Sequence, residues 1–344
     1  MTTFYSHPTA RTWASGTRVR SVREFHQSLP DYAPTPLVEL PDVAKELGVG
    51  RAFVKDESSR LGLPAFKMLG ASWACRQVLE RHPGAVLVTA TDGNHGRAVA
   101  RVARQVGAQA TVFIPGGIRE RAAARIEAEG AEVIRVDGHY EEAVAAAMAF
   151  AAADPARELV QDTAWEGYTQ VPSQIIEGYD TLLQEIDEEL GDVPDLIVVP
   201  SGVGSLPQSV VAHYRQGEQS TGTRVLVVEP DTADCLVASL TKGERVTVPT
   251  GSSVMAGLNC GTVSTLAWPV LRDGCDAAIT VTDEEALQAS DDLLALGVAS
   301  GPSGAATFAG ARAALREVDP WIALDLPDEA TVVLLSTEGR QDDE

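Results

Sequence analysis

Runs of branched apolar residues alternate along the chain with segments whose apolar positions recur at helical spacing, the pattern of parallel strands joined by crossover helices. The first cycle predicts a helix over 71–81, a strand at Ala85–Thr89 and a helix over Arg97–Val106 closed by Gly107. It repeats as a strand at Ala110–Ile114, a helix over Glu120–Glu129 stopped by Gly130, and a strand at Glu132–Val136. An alanine-rich helix from Glu141 to Ala153 then ends at Asp154-Pro155, since proline cannot continue it. A short strand at Glu158–Gln161, a loop over Asp162–Tyr168 and a long helix at about 171–190 follow. Leu196–Val199 and Arg224–Val228 read as strands on either side of a helix near 207–215, and Ala277–Val281 and Thr331–Leu335 as later strands. These runs are continuous Val, Ile and Leu rather than alternating, as in strands buried on both faces. Residues 71–165 are expected to form a smaller α/β domain inserted into a larger, discontinuous one made of 1–70 and 166–344.

Composition narrows the partners. A chain of 344 residues is long enough for two domains. Its 49 acidic and 27 basic residues give a formal charge of -22, which repels phosphate backbones and anionic lipids, so neither nucleic acid nor a membrane is expected as a partner. Cys75, Cys235, Cys260 and Cys275 form no Cys-x-x-Cys pair, so no metal site is expected. The N-terminus lacks a basic segment followed by an apolar run, and the longest apolar stretch, Ala143–Ala153, is too short to span a bilayer. A cytoplasmic enzyme is expected.

Candidate chemistry starts at Lys67, in Arg60-Leu61-Gly62-Leu63-Pro64-Ala65-Phe66-Lys67-Met68-Leu69-Gly70. Phe66, Met68 and Leu69 set apolar groups beside the amine; desolvation disfavours the ammonium, and a neutral amine attacks a carbonyl to form a Schiff base. That Lys67 is simply the first exposed residue of a helix stays open on this stretch alone. Ser201-Gly202-Val203-Gly204-Ser205 lies between a strand and a helix, where backbone N–H groups meet an anion. Glu229, ending the next strand, imitates the ribose-binding acid of a dinucleotide site, yet Pro207 stands where the third glycine would, which favours a single phosphate. A tight turn without a ligand is the alternative.

Thr89-Ala90-Thr91-Asp92-Gly93-Asn94-His95-Gly96 sits at the carboxyl end of another strand, where open α/β sheets bind ligands. The N–H groups of Thr91, Asp92, Gly93, Asn94 and His95 suit a carboxylate, Asn94 suits a phenolic oxygen, and Asp92 suits an acid or base. Asp92 as a helix cap and His95 as a partner for a backbone group remain alternatives. Ser336, in Ser336-Thr337-Glu338-Gly339, also follows a strand; a hydroxyl there leaves a ring nitrogen close to neutral where a carboxylate would keep it protonated.

These stretches, with Val160-Gln161-Asp162-Thr163-Ala164-Trp165-Glu166-Gly167-Tyr168 and Met255-Ala256-Gly257-Leu258-x-Cys260-Gly261, run in the same order as those of a known family. Together they resemble the pyridoxal-phosphate enzymes of the tryptophan-synthase-β type, and within them the diaminopropionate ammonia-lyases. The resemblance implies an α/β protein of fold type II, with two three-layer αβα domains and mainly parallel sheets. It implies pyridoxal 5'-phosphate held by Lys67, with Gly202, Val203, Gly204 and Ser205 around its phosphate, Asn94 at the ring hydroxyl and Ser336 at the ring nitrogen. The implied reaction is a lyase reaction on 2,3-diaminopropionate, giving pyruvate and ammonia through Cα deprotonation and an aminoacrylate intermediate, and a homodimer is expected.

Lys67 is the natural base on one face of the substrate. Related dehydratases and racemases have serine where this chain has Asp92, a far better base near neutral pH, so Asp92 is expected to serve the opposite face. Asp162 is expected to bind the distal ammonium or aid its departure. Two positions depart from the family: Leu206-Pro207-Gln208 stands where small residues and glycine are usual, and Pro302 replaces a glutamate. The competing readings keep the cofactor and change the substrate, as in a serine or threonine dehydratase, a racemase, or a β-elimination or β-replacement enzyme. A cofactor-binding protein without catalysis is a further one, against which the joint presence of Lys67, Asp92 and Asp162 speaks.

Overall fold

A computed structural model describes residues 2–15, 20–91, 93–217 and 222–340. In chain order it begins with β1 (Phe4–Ser6), α1 (Arg23–Gln27), β2 (Leu37–Glu39), α2 (Pro41–Leu47) and β3 (Arg51–Asp56). Then come α3 (Lys67–Arg81), β4 (Val86–Ala90), α4 (Asn94–Val106), β5 (Ala110–Pro115), α5 (Glu120–Glu127), β6 (Glu132–Val136), α6 (Tyr140–Ala152) and β7 (Arg157–Leu159). The rest is α7 (Gln170–Leu190), β8 (Leu196–Pro200), α8 (Ser205–Tyr214), β9 (Arg224–Pro230), α9 (Cys235–Lys242), α10 (Ala267–Gly274), β10 (Ala277–Val281), α11 (Asp283–Ala295), α12 (Pro302–Arg316), α13 (Val318–Leu324) and β11 (Thr331–Ser336).

Contacts divide the chain into two units, one of Met1–Ser21, Asp31–Phe66 and Asp180–Glu344, the other of Val22–Pro30 and Lys67–Tyr179. The first carries a seven-stranded sheet in the order β1-β10-β9-β8-β11-β3-β2. Its inner strands are parallel and its two edge strands antiparallel. One face packs Leu196, Val198, Leu226, Val228, Val332 and Leu334 under α12, whose Phe308, Ala311 and Ala314 are fully buried. The helix lies so close that a Cβ on Gly310 would stand 2.4 Å from Val228 Cγ2. Ile197, Val199, Val225 and Val227 point to the other face and are equally buried, which is why these strands are apolar without alternation.

β3 departs from that rule. It carries Arg51, Lys55 and Asp56, yet pairs with β11 inside the sheet. Its Lys55 is fully buried because Glu185 sits 2.8 Å away and the Thr35 carbonyl accepts from it at 2.6 Å. Arg60 joins the same buried cluster through Glu57 and Glu185, each at 2.7 Å, so two cations face two carboxylates and no charge is left uncompensated. This cluster fixes the start of the Arg60–Phe66 segment, whose far end is tied to β11's continuation by Phe66 N–H donating to the Thr337 carbonyl at 3.1 Å.

The second unit is a four-stranded, wholly parallel sheet in the order β6-β5-β4-β7. Two helices start earlier than their sequence patterns indicate: α3 at Lys67 and α4 at Asn94. At α4 the reason is Gly96, where a Cβ would meet Thr91 Cγ2 at 2.3 Å and Val112 Cγ1 at 2.8 Å. Without one, the first turn lies directly on β4 and β5. Among the described residues no helix is long and apolar enough to cross a membrane, and no group of three metal-ligating side chains occurs.

Candidate active site

In the four-stranded unit, β4 and β7 are parallel neighbours, so their carboxyl ends lie side by side. The first runs on into Thr91, Gly93 and Asn94, the second into Val160, Gln161 and Asp162. Lys67, the first residue of α3, reaches the same place and donates from Nζ to Asp162 Oδ2 at 2.7 Å. Met68 and Leu69 are buried, but the Lys67 side chain keeps 20% of its surface exposed and meets a carboxylate. Ion pairing, rather than the apolar surroundings anticipated from the sequence, therefore governs this amine. Burial by itself would raise the Asp162 carboxyl; the Lys67 ammonium, with His95 beside it, outweighs burial and holds it at about 2.

His95 sits under the pair. Its Nε2 is 2.8 Å from the Val160 carbonyl, which can only accept, so Nε2 carries the proton. Nδ1 lies 3.9 Å from Asp162 Oδ2 with no hydrogen-bond partner among the described residues, and burial pushes the imidazole's pKa down. In the adjoining loop, the Gly93 N–H donates to Thr91 Oγ1 at 2.9 Å, so this N–H is already engaged, and Asn94 and His95 open α4. Asp92 lies outside the described residues.

Tyr179 was not anticipated from the sequence. Its ring centroid is 5.9 Å from Lys67 Nζ, and burial raises the phenol to about 12. It arrives there because α3 and α7 cross at two glycines. A Cβ on Gly70 would stand 2.7 Å from Tyr179 Cε1, and one on Gly178 2.5 Å from the Leu69 carbonyl oxygen. Small residues placed on both helices are the signal that marks such a crossing.

In the seven-stranded unit, β8 and β11 are parallel neighbours and deliver the other predicted residues to one edge. After β8 the chain turns through Gly202, Val203 and Gly204 into α8, with Gly204 as N-cap at φ 93, in the left-handed region. A Cβ on Gly202 would stand 3.1 Å from both Cys260 Sγ and the Gly257 carbonyl oxygen, and one on Gly204 3.0 Å from Ala267. The loop is thus packed tightly from below. Pro207 is the third residue of α8, where an N–H would have no acceptor in the helix; it leaves the first turn one donor fewer without disturbing it. Glu229 has no ribose-like role: fully buried, it accepts from the N–H groups of Leu236 and Val237 at 3.0 and 2.8 Å, and burial lifts it to about 8.

Ser336 ends β11, buried, with its Oγ 2.7 Å from Ser300 Oγ. Pro302 opens α12 after the N-cap Gly301. A carboxylate still stands at that corner, because Glu338 Oε1 would lie 3.3 Å from a Cβ on Gly301. Nearby Ser303 Oγ is buried with no hydrogen-bond partner among the described residues. Taken unit by unit, the glycine loop at the N-terminus of α8 suits a phosphate, and in the other unit the amine of Lys67 suits an aldehyde, so each set by itself fits pyridoxal 5'-phosphate.

Comparison with known proteins agrees. The profile of the family described as pyridoxal-phosphate dependent enzyme matches residues 29–338. Among curated proteins, the diaminopropionate ammonia-lyase of Escherichia coli (strain K12) is 35% identical over 358 residues, covering 95% of this chain and 90% of that protein. That of Salmonella typhimurium is 37% identical over 309 residues, covering 81% and 76%. Among solved structures, Escherichia coli diaminopropionate ammonia lyase in complex with an aminoacrylate-PLP azomethine reaction intermediate superposes with a TM-score of 0.89 at 33% identity, covering 99% of this chain and 94% of that one.

Proposed function

Because the chain belongs to the family of pyridoxal-phosphate dependent enzymes, we propose that it is a lyase eliminating ammonia from 2,3-diaminopropionate to give pyruvate and ammonia. When bound, pyridoxal phosphate supplies an electron sink that acidifies the substrate's Cα–H and lets the β substituent leave. The residues would hold it with Lys67 at the aldehyde carbon, Gly202, Val203, Gly204 and Ser205 at the phosphate, Asn94 at the ring hydroxyl and Ser336 at the ring nitrogen. The Thr91, Asp92, Gly93, Asn94 and His95 loop takes the substrate carboxylate. Lys67 Nζ receives the Cα proton on one face and the Asp92 carboxylate on the other. The β-amine departs as neutral ammonia from its ammonium form, so a residue that stabilises that form speeds its loss.

The observation that carries the choice of substrate is the Asp162 carboxylate, buried and already accepting from an alkylammonium at 2.7 Å. A substrate's β-ammonium makes the same contact, whereas a hydroxy amino acid leaves the carboxylate short of a cation. The test is reconstitution with pyridoxal phosphate, absorbance in the Schiff-base region, and keto-acid release from D- and L-2,3-diaminopropionate, serine and threonine. Faster release from serine than from diaminopropionate would overturn the substrate, and no absorbance band the cofactor. Asp92→Asn is expected to lose turnover of the D-substrate and keep that of the L-substrate. A cytoplasmic homodimer is the proposed assembly and location, read by light scattering and cell fractionation.

A further inference from the structure

Asp162 carries the choice of substrate, yet it lies beyond the last residue of its strand, β7. That strand is at the edge of the four-stranded sheet, paired with β4 among the described residues. Just past it, the Val160 N–H turns toward β4 and donates to the Val88 carbonyl at 2.7 Å. Successive residues of an extended chain alternate in direction, so the main-chain groups of Leu159 and Gln161 turn the other way, to the side where the sheet has no further strand.

Both meet the same side chain. The Tyr168 hydroxyl accepts from the Gln161 N–H at 2.8 Å and donates to the Leu159 carbonyl at 2.9 Å. An N–H can only donate and a carbonyl can only accept, so the direction of each bond is fixed by the main chain. Burial pushes the phenol well above its ordinary value, which keeps that proton in place. The hydroxyl stands in for the missing strand and holds the chain extended past Leu159 as far as Gln161, the residue before Asp162.

Tyr168 is itself held by the loop it closes. Gly167, at φ 84, turns the chain back, and the Trp165 and Tyr168 N–H groups donate to each other's carbonyls at 3.3 and 2.9 Å. Their rings stack with centroids 4.4 Å apart. On the side facing β4, Gln161 Oε1 accepts from the Ala90 N–H at 2.9 Å, and the Val160 carbonyl accepts from His95 Nε2 at 2.8 Å. The segment leading into Asp162 is thus clamped from both sides, and the outer clamp is one phenolic oxygen.

We propose that Tyr168 is a positioning residue for Asp162: its hydroxyl fixes the main chain from which the carboxylate reaches Lys67 Nζ, and through it the preference for a substrate bearing a β-ammonium over one bearing a β-hydroxyl. Tyr168 acts through Asp162 and not on the substrate. The inference rests on the reading that Asp162 recognises that ammonium.

The test is Tyr168→Phe, which keeps the ring against Trp165 and removes the one oxygen. In protein reconstituted with pyridoxal phosphate, the ratio of kcat/KM for diaminopropionate to that for serine is expected to fall by on the order of 10-fold, since misplacing a group by about 1 Å costs up to about 100-fold. Without cofactor, acylation of Lys67 by acetic anhydride at neutral pH, read by peptide mass spectrometry, is expected to run faster than in wild type and to approach the rate in Asp162→Asn. A displaced carboxylate no longer holds the amine as its ammonium. An acylation rate equal to that of wild type overturns the proposal, and so does an equal loss with both substrates, which marks a merely structural role. If Asp162→Asn itself leaves the substrate ratio unmoved, it is the substrate reading that has failed, and the acylation rate alone decides the role of Tyr168. Should Tyr168→Phe not fold, hydrogen exchange of wild type decides: a Gln161 amide that exchanges as fast as an unstructured peptide overturns the proposal, and a protected one supports it.

Discussion

His213, near the end of α8, is held at both ring nitrogens: Nδ1 lies 2.7 Å from Asp180 Oδ1 and Nε2 2.8 Å from Asp187 Oδ2, both on α7. Tyr214 OH donates to the other Asp187 oxygen at 3.0 Å, and Gln184 donates to the other Asp180 oxygen. Carboxylates only accept, so the ring carries two protons and a positive charge. Burial opposes that charge, but the two carboxylates outweigh it and raise the imidazolium from 6.5 to about 9. At about 1.4 kcal/mol per pH unit, such a rise stabilises the fold by about 3 kcal/mol. Since the folded value is the higher one, this contribution is fully present below pH 6.5 and is lost as pH rises through 9. Urea denaturation followed by circular dichroism from neutral pH to above pH 9, on wild type and His213→Gln, reads it directly. Wild type should lose about 3 kcal/mol more across that range than the variant, which starts lower and keeps only the smaller decline up to about pH 8 that buried Glu229 gives both proteins. Tyr214 does not confound the range, because burial keeps its phenol ionising well above its ordinary value. A wild-type stability flat across the range, or an equal decline in the variant, would refute the assignment of a charged His213.

Three further outcomes are expected. Lys67→Ala should fold but show no visible absorbance after incubation with pyridoxal phosphate, as seen by spectrophotometry. Asp162→Asn should lower kcat/KM for diaminopropionate by on the order of 10- to 100-fold, the worth of a hydrogen bond to a charged group; a loss equally large with serine would show that Asp162 does not recognise the ammonium. Gly96→Ala should destabilise the fold by about 1–3 kcal/mol in urea, since its methyl would sit 2.3 Å from Thr91 Cγ2.

Local pattern was enough to find β8, whose five residues are all buried, and to end α4, where Gly107 closes the helix with φ 72. The same strand-end logic singled out Gly202 and Ser336 at neighbouring strands of the seven-stranded sheet and Asn94 after a strand of the four-stranded one, because loops after parallel strands leave a sheet at its carboxyl edge whatever their partners are. What stayed hidden depends on residues far apart in the chain. β3 carries Lys55 after the apolar run Ala52–Val54, and the buried pairing of that lysine with Glu185 lets it lie inside the sheet. Asp162 is 95 positions from Lys67, and Tyr179 reaches the amine only through a crossing of two helices at paired glycines. The sequence by itself determined which residue types stand at strand ends and helix starts, since burial periodicity and turn chemistry act over a few neighbours. Which charge meets which was decided by tertiary structure, because ion pairs and hydrogen bonds depend on distances that chain spacing does not specify.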